Sequence, residues 1–442
     1  MKQAAIVLLL FYFFLNSFQI YSRKPVKIRG RDFKVEEAGY KTARKHVREG
    51  DALFRKGEGS YPQALEQYLM AYQYNPAIPA LNYMIGVCYL HTDHKGEALK
   101  YLEKAYAGDS LLAQDLLYLL GRAHQYRYEF EEALKYYRSF IQGPAYVPTV
   151  PLAAEARRHI EECLHAATVV KDTVPATIVD MGSAVNSPWD DYKAVLTPAG
   201  DKLFFTSRRK FSRKQLPNRY DGKYEEDIYL SLGDGNGWSE AVRLDEPPNS
   251  RYNDALLALS PDGRELYVYN GKKGNGDIFS VLRKGDKWKK PVKITGRINS
   301  KGQESALWIS PDSTTAYFVS DKKKLSRGGK DIFVIRRDAA GKWGDPEPLD
   351  TTVNTPWDEE SPWLTPDGKT LYFSSQGHNS IGGFDVFRSH LGPDGRWSQA
   401  ENMGVPLNTP DDDLFYVPSP VDSMVAYISG IREETQGLKD LY

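Results

Sequence analysis

Asn354-Thr355-Pro356-Trp357-Asp358-Glu359-Glu360-Ser361-Pro362-Trp363-Leu364-Thr365-Pro366-Asp367-Gly368-Lys369-Thr370-Leu371-Tyr372-Phe373 settles the fold, because four other stretches keep its spacing. In each, an Asn-Ser/Thr pair is followed by an acid five residues after the Asn and by a proline turn seven residues later. The copies are Asn186/Asp191/Pro198, Asn249/Asp254/Pro261, Asn299/Glu304/Pro311, Asn354/Glu359/Pro366 and Asn408/Asp413/Pro420. A spacing held through all five copies marks equivalent structural units arranged as a radial repeat.

Each unit continues in the same order. The turn, Ser260-Pro261-Asp262-Gly263 or Thr365-Pro366-Asp367-Gly368, leads into Leu266-Tyr267-Val268-Tyr269 or Leu371-Tyr372-Phe373, so it joins two strands as a hairpin. A variable loop then reaches Asp-aliphatic-aromatic at Asp227, Asp277, Asp331, Asp385 and Asp440, which opens a third strand. Trp238, Trp288, Trp343 and Trp397 each open a short fourth strand, such as Ala241 to Leu244. Four strands in about 50 residues make one propeller blade. The fifth fourth-strand copy stands upstream, where Asp180-Met181-Gly182 matches Asn402-Met403-Gly404, and the segment from Thr177 to Met181 is expected to complete the last blade and close the ring.

Before the propeller the period changes. Gly50, Gly86 and Gly121 recur about every 35 residues, each followed by Ala64, Ala98 or Ala133 and then by Tyr68, Leu102 or Tyr137. This is tetratricopeptide spacing, in which a small residue lets two helices approach and a larger one fills the space beside it. A last amphipathic helix, about Leu152 to Ala167, is expected to cap the third repeat. The fold class is therefore multidomain, α then all-β: an α-solenoid over residues 38–168 and a five-bladed β-propeller over 176–442, closed by an N-terminal strand.

The chain has 442 residues, 58 Lys+Arg against 58 Asp+Glu, so no charge excess points to nucleic acid. Lys2 and the apolar run Ala4 to Leu15 are too short for a membrane span and shaped like an export signal, with an uncleaved anchor as the alternative over residues 1–22. The only cysteines, Cys88 and Cys163, stand on apolar helix faces and read as buried hydrophobes, with a disulfide as the alternative.

The Ser-Pro-Asp-Gly turn, the Leu-Tyr-Phe strand and Gly328-Gly329-Lys330-Asp331-Ile332-Phe333 or Gly382-Gly383-Phe384-Asp385-Val386-Phe387 resemble the TolB-type WD40-like propeller repeat. With tetratricopeptide repeats behind an export signal, the chain is similar to periplasmic envelope proteins of Bacteroidota, including the PorE-like component of the type IX secretion system. It departs from them in lacking their OmpA-like C-terminal domain, so attachment to peptidoglycan is not implied. The resemblance implies a non-enzymatic adaptor in the periplasm, peripheral to the outer membrane, with envelope or secretion-system proteins as partners. A glycan- or peptidoglycan-binding propeller is the alternative, and a glycoside hydrolase using central carboxylates a more distant one.

The acids Asp191, Asp254, Glu304, Glu359 and Asp413 are expected to converge at one mouth of the axial channel. There they would either hold Ca2+ or another cation or accept bonds from their own entry loops. Five equivalent carboxylates argue against an acid and a base with separated pKa values, and no nucleophile elbow, zinc helix motif or Walker loop occurs. Trp189, Tyr252 and Trp357, each two residues before a ring acid, are candidates for an aromatic lining. The loop basics Arg208, Arg209, Lys210, Arg213, Lys214, Arg219 and Lys223, with Lys322, Lys323, Lys324, Arg327 and Lys330, are expected to form a basic rim or a solubilising one. On the helical array, Arg44, Tyr83, Tyr118, Arg122 and Tyr126 are expected to face a peptide groove.

Overall fold

A computed structural model describes residues 25–28, 39–143, 151–170, 173–218, 222–235, 237–270, 276–322, 324–432 and 435–442. The expected export signal over residues 1–22 lies outside the described residues, as do Arg219 and Lys323. The chain divides into two compact units. One takes in most of the helical residues up to Ile160; the other holds Glu161–Tyr442 with the turns Thr92–Lys95 and Gln125–Glu131.

The helices are α1 (Tyr40–Phe54), α2 (Tyr61–Tyr72), α3 (Pro79–Tyr89), α4 (Ala98–Gly108), α5 (Leu116–Tyr126), α6 (Phe130–Gln142) and α7 (Pro151–Val169). Prolines at the starts of α2 and α3 suit a first turn, where an N–H has no intrahelical partner. The close approaches expected from the glycine period are present. A Cβ at Gly50 would stand 2.7 Å from the Tyr68 ring, at Gly86 2.6 Å from Leu102, and at Gly121 2.6 Å from the Tyr137 ring. The last helix begins and ends slightly outside its expected span, at Pro151 and Val169.

Five antiparallel sheets follow, and together they form a five-bladed propeller. Their first strands are Asp191–Leu196, Asp254–Leu259, Glu304–Ile309, Glu359–Leu364 and Leu414–Pro418. Their third strands begin at Asp227, Ile278, Asp331, Asp385 and Asp440. The tryptophans lie further in than expected. Trp238, Trp343 and Trp397 bridge back to the end of the third strand, Trp288 pairs there with Arg283, and the outer strands proper are Val242–Arg243, Val292–Lys293, Glu347–Pro348 and Glu401–Asn402.

The core lies in layers between blade faces rather than around one centre. Phe204, Val268 and Phe279 fill one layer, Leu257, Phe318 and Phe333 the next, then Val319, Phe373 and Phe387. Val386, Ile428 and Tyr442 pack in a further layer, and Val185, Phe205, Tyr229 and Leu441 in the one that joins the chain's two ends. Alternate residues of each strand face opposite neighbours, so both faces must be apolar, which is why these strands read as nearly continuous hydrophobic runs.

The Asn of the repeated spacing staples the blades. Asn249, Asn299, Asn354 and Asn408 each accept the N–H and donate to the carbonyl of Ile228, Ile278, Ile332 or Val386, on the preceding third strand. Asn186 makes the same pair of bonds with Leu441, 255 residues away, and so closes the ring. Two backbone bonds repeat the closure: Met181 N–H to Leu441 O (3.2 Å), as Met403 bonds Val386, and Asp191 N–H to Lys439 O (2.7 Å), as Glu359 bonds Lys330. The expected strand from Thr177 to Met181 is reduced to that one ladder bond. Outer strands elsewhere pair with the second and third residues after the third-strand Asp.

The paired glycines before the third strand admit the next blade's entry turn. A Cβ at Gly382 would lie 2.1 Å from Thr409 O, and at Gly328 2.0 Å from Pro356 O. Because backbone atoms are on the other side, no side chain can swing away. Gly382→Ala is expected to cost about 2 kcal/mol by chemical denaturation, and a loss near zero would show that the turn can retreat.

Candidate functional site

Each ring acid is held by its own entry turn. The Ser or Thr four residues earlier donates its hydroxyl to the carboxyl, at 2.6 Å for Ser187–Asp191, 2.5 Å for Ser250–Asp254, 2.7 Å for Ser300–Glu304, 2.6 Å for Thr355–Glu359 and 3.0 Å for Thr409–Asp413. The backbone N–H of the same Ser or Thr donates as well. A further donor comes from the end of the second strand or just beyond: Arg209 to Asp191, Asn270 to Asp254, Ser320 to Glu304, Ser375 to Glu359 and Arg432 to Asp413. The acid thus fixes the turn that enters the blade, a task each blade repeats.

Burial dominates the electrostatics. All five ring acids are fully buried. Where the third donor is neutral, burial raises Asp254 to about 7, Glu304 to about 7 and Glu359 to about 8. In the first and last blades burial still raises Asp191, and Asp413 to about 6, against the opposing pull of Arg209 and Arg432. For Asp254, Glu304 and Glu359 the acid that adds to the upward shift is not another member of the ring. Asp227, Asp277 and Asp331 on the preceding third strands press on Asp254, Glu304 and Glu359.

Each carboxyl is held within its own entry turn. Among the described residues no three of His, Cys, Asp and Glu gather as a metal would require.

The axis is occupied by residues the sequence reading passed over. Lys193, Ser361 and Phe415 each stand two positions after a ring acid, at φ 60°, 57° and 60°, in the left-handed region that non-glycine residues rarely adopt. The first strands shift register there, which re-aims these side chains. Lys193 Nζ donates to Ser305 O at 2.9 Å, a bond between the first and third blades that must cross the axis because those blades are not neighbours. Glu360 accepts Lys330 Nζ at 2.6 Å and Ser305 Oγ at 2.5 Å, while the Lys193 ammonium lies 4.8 Å from the Phe415 ring centre. Lys193, Ser305, Lys330, Glu360 and Ser361 are each under a tenth exposed. Burial lowers Lys193 to about 8, and the Glu360 charge opposes that shift. Ser361 Oγ makes no hydrogen bond.

The other candidates divide by exposure. Trp357 is 40% exposed and Trp189 and Tyr252 half-buried; each N–H bonds the Ser or Thr of its entry turn, and Trp189 packs edge-on against Tyr224. The basic rim is thinner than expected. Arg208 is buried, Arg209 pairs with Asp191, Lys223 with Asp190 and Lys330 with Glu360, whereas Lys210, Arg213, Lys214, Lys324 and Arg327 are exposed.

On the helical unit, Tyr83 donates to Asp115 (2.8 Å), Tyr118 to Glu155 (3.1 Å), and Arg122 bonds His159 (3.0 Å); all three are buried. Glu155 and His159 of α7 take up Tyr118 and Arg122 of α5, and Asp115 takes up Tyr83 of α3. Arg44, bonded to Tyr40, and Tyr126, with the Lys95 ammonium over its ring, are half-buried. Cys88 and Cys163 are both buried.

No family model matches the sequence, and no curated protein matches it. Solved structures similar to it include a putative TolB from Agrobacterium tumefaciens, at 16% identity over 58% of this chain and 76% of that one, with a TM-score of 0.34. TolB from Acinetobacter baumannii is 14% identical over 67% and 70%, with a TM-score of 0.35. A GH74 enzyme from Niastella koreensis is 16% identical over 57% of this chain but only 35% of its own, with a TM-score of 0.31. At these values the likenesses say nothing about activity.

Proposed function

We propose that the protein is a non-enzymatic scaffold of the bacterial cell envelope whose propeller holds another envelope protein on the face formed by its entry turns. The observation that carries the reading is the division of labour within those turns. Every ring carboxyl is buried and bonded inward, while Trp357 and, in part, Trp189 and Tyr252 of the same turns reach the surface. A glycosidase needs two carboxyls open to substrate and pushed to different pKa values. Here all five are closed off from solvent.

Export to the periplasm rests on Lys2 and the apolar run Ala4 to Leu15. Among the described residues no helix is long and apolar enough to cross a membrane. Association with a secretion machinery, and the reading of the helices as three tetratricopeptide-type repeats, rest on the sequence motifs. Tyr83, Tyr118 and Arg122 are removed from the proposed binding set by their burial, which leaves Arg44 and Tyr126.

A photo-crosslinking residue at position 357, 189 or 252 of the full chain, irradiated in cells, should give a discrete adduct with an envelope protein. The same residue at position 367, in an exposed hairpin turn at the far end of its strands, should not. Adducts absent from all three entry-turn positions would count against the reading. The exposed Trp357 ring also favours glycan stacking as a second reading; retention on a glycan array that is lost in Trp357→Ala would select it over a protein partner.

A further inference from the structure

The loop that leaves the second strand of the first blade has a composition that the binding face does not explain. Its root is fixed. Arg208 N–H bonds Asp190 O and its Nε bonds Tyr224 O at 2.6 Å, and Arg209 holds both Asp191 and Val185 O. Beyond the root, Lys210-Phe211-Ser212-Arg213-Lys214-Gln215-Leu216-Pro217 folds back on itself: Gln215 N–H bonds Ser212 O (3.1 Å) and its Oε1 accepts Phe211 N–H (3.1 Å). This small turn presents Leu216 at 80% exposure and Phe211 at 48%, with Lys210, Arg213 and Lys214 exposed among them.

Two features separate this tip from an ordinary solubilising loop. Its apolar side chains, Leu216 and Phe211, are exposed. Phe211 already rests one ring face on the Arg243 guanidinium, 4.3 Å from the ring centre, and turns the rest outward. Among the described residues its cations also form no ion pair with a local acid: Asp190 pairs with Lys223, Asp191 with Arg209 and Asp227 with Arg243, and Glu225 accepts from Asn218.

We propose that this tip is a membrane-docking element that inserts Leu216 and the outer part of Phe211 among the headgroups of an anionic phospholipid surface, with Lys210, Arg213 and Lys214 on the lipid phosphates. An acidic protein or a polyanionic glycan would use the cations but has no need of an exposed leucine at the apex. A lipid interface uses both, since apolar burial and attraction to anionic headgroups add. The proposal uses none of Trp189, Tyr252 or Trp357, although Lys210 and Trp189 both meet the Tyr224 ring.

The test is flotation of the purified full chain with vesicles of phosphatidylcholine alone or mixed with phosphatidylglycerol. Binding is expected only to the mixed vesicles, weakening as salt rises. Each of Lys210→Gln, Arg213→Gln and Lys214→Gln should lower the partition coefficient about fivefold, and the triple variant roughly a hundredfold. Leu216→Ser should lower it about tenfold without changing the salt dependence. In Leu216→Trp, the only new fluorophore should shift to the blue on the mixed vesicles, and unchanged thermal melting confirms that the variants are folded. Three results overturn the proposal: no binding to mixed vesicles, equal binding to neutral ones, or Leu216→Ser binding like the parent while a soluble polyanion competes fully, which would make the tip a polyanion site.

Discussion

Asn354→Ala is expected to lower the stability of the propeller by about 4 kcal/mol, the largest effect foreseen for a single substitution. The side chain is 1% exposed and makes three bonds to backbone: it accepts Ile332 N–H at 2.8 Å and donates to Ile332 O at 2.9 Å and Leu349 O at 3.0 Å. Alanine removes the partner of Ile332 N–H and one partner of Leu349 O in a space closed to solvent, at about 1–3 kcal/mol each, while Ile332 O keeps the Leu349 N–H. Asn354→Asp should fare little better, because it retains the acceptor but loses both donations and adds a buried charge.

The equivalent change at the ring's seam, Asn186→Ala, removes the bonds to Leu441 at 2.9 Å each way. It should cost as much and also differ in kind. No peptide chain crosses that interface, so the ends can separate while the other blades stay folded. Hydrogen exchange should then quicken selectively at Asp440–Tyr442 and around Met181, whereas Asn354→Ala should quicken it broadly. If either alanine costs less than about 1 kcal/mol, the Asn staple is not what joins the blades.

The second large effect is on pH. Burial first, and the neighbouring third-strand aspartates after it, raise Asp254 to about 7, Glu304 to about 7 and Glu359 to about 8. Asp227 is raised to about 6, Asp413 to about 6 and Asp440 to about 7, with burial the leading cause in each. Unfolded, these groups release their protons near pH 4. Between that point and the raised values the folded chain holds more protons than the unfolded one, so stability is full below the unfolded pKa and falls as pH rises.

Groups shifted the other way act outside this window. Asp190 and Glu360 are lowered and titrate in more acidic solution; Lys193, lowered to about 8, adds stability only above that value. The melting temperature should therefore fall by about 10 °C from about pH 5 to about pH 8. Glu359→Gln should make that fall shallower. The slope is the informative quantity, because the amide loses the bond from Thr355 N–H at every pH. A melting temperature that is flat or rising across the interval would sink the account.

Much of this could be read from the sequence where the interactions are local. The Ser/Thr and the acid four residues on are in contact inside one turn, so a structural role for the carboxyls was legible beside the cation reading. The Ser-Pro-Asp-Gly hairpins and the glycine approaches at Gly50, Gly86 and Gly121 are local in the same sense. The candidate groove fared differently. Tyr83, Tyr118 and Arg122 look like a recognition surface on an isolated helix pair, but a polar side chain's fate depends on what covers it, and α7 supplies Glu155 and His159.

The sequence by itself determined the number of blades, their register and the residues that enter each one, because equal spacing can persist only among units in equivalent surroundings. Only the tertiary structure decided where the repeat's side chains end. Closing the ring carries Asn186 to Leu441 and Lys193 to Ser305, contacts 255 and 112 residues apart along the chain. It also buries each acid in its own turn. Periodicity reports which positions are alike, but not which distant backbone atom each one meets once the two ends of the chain come together.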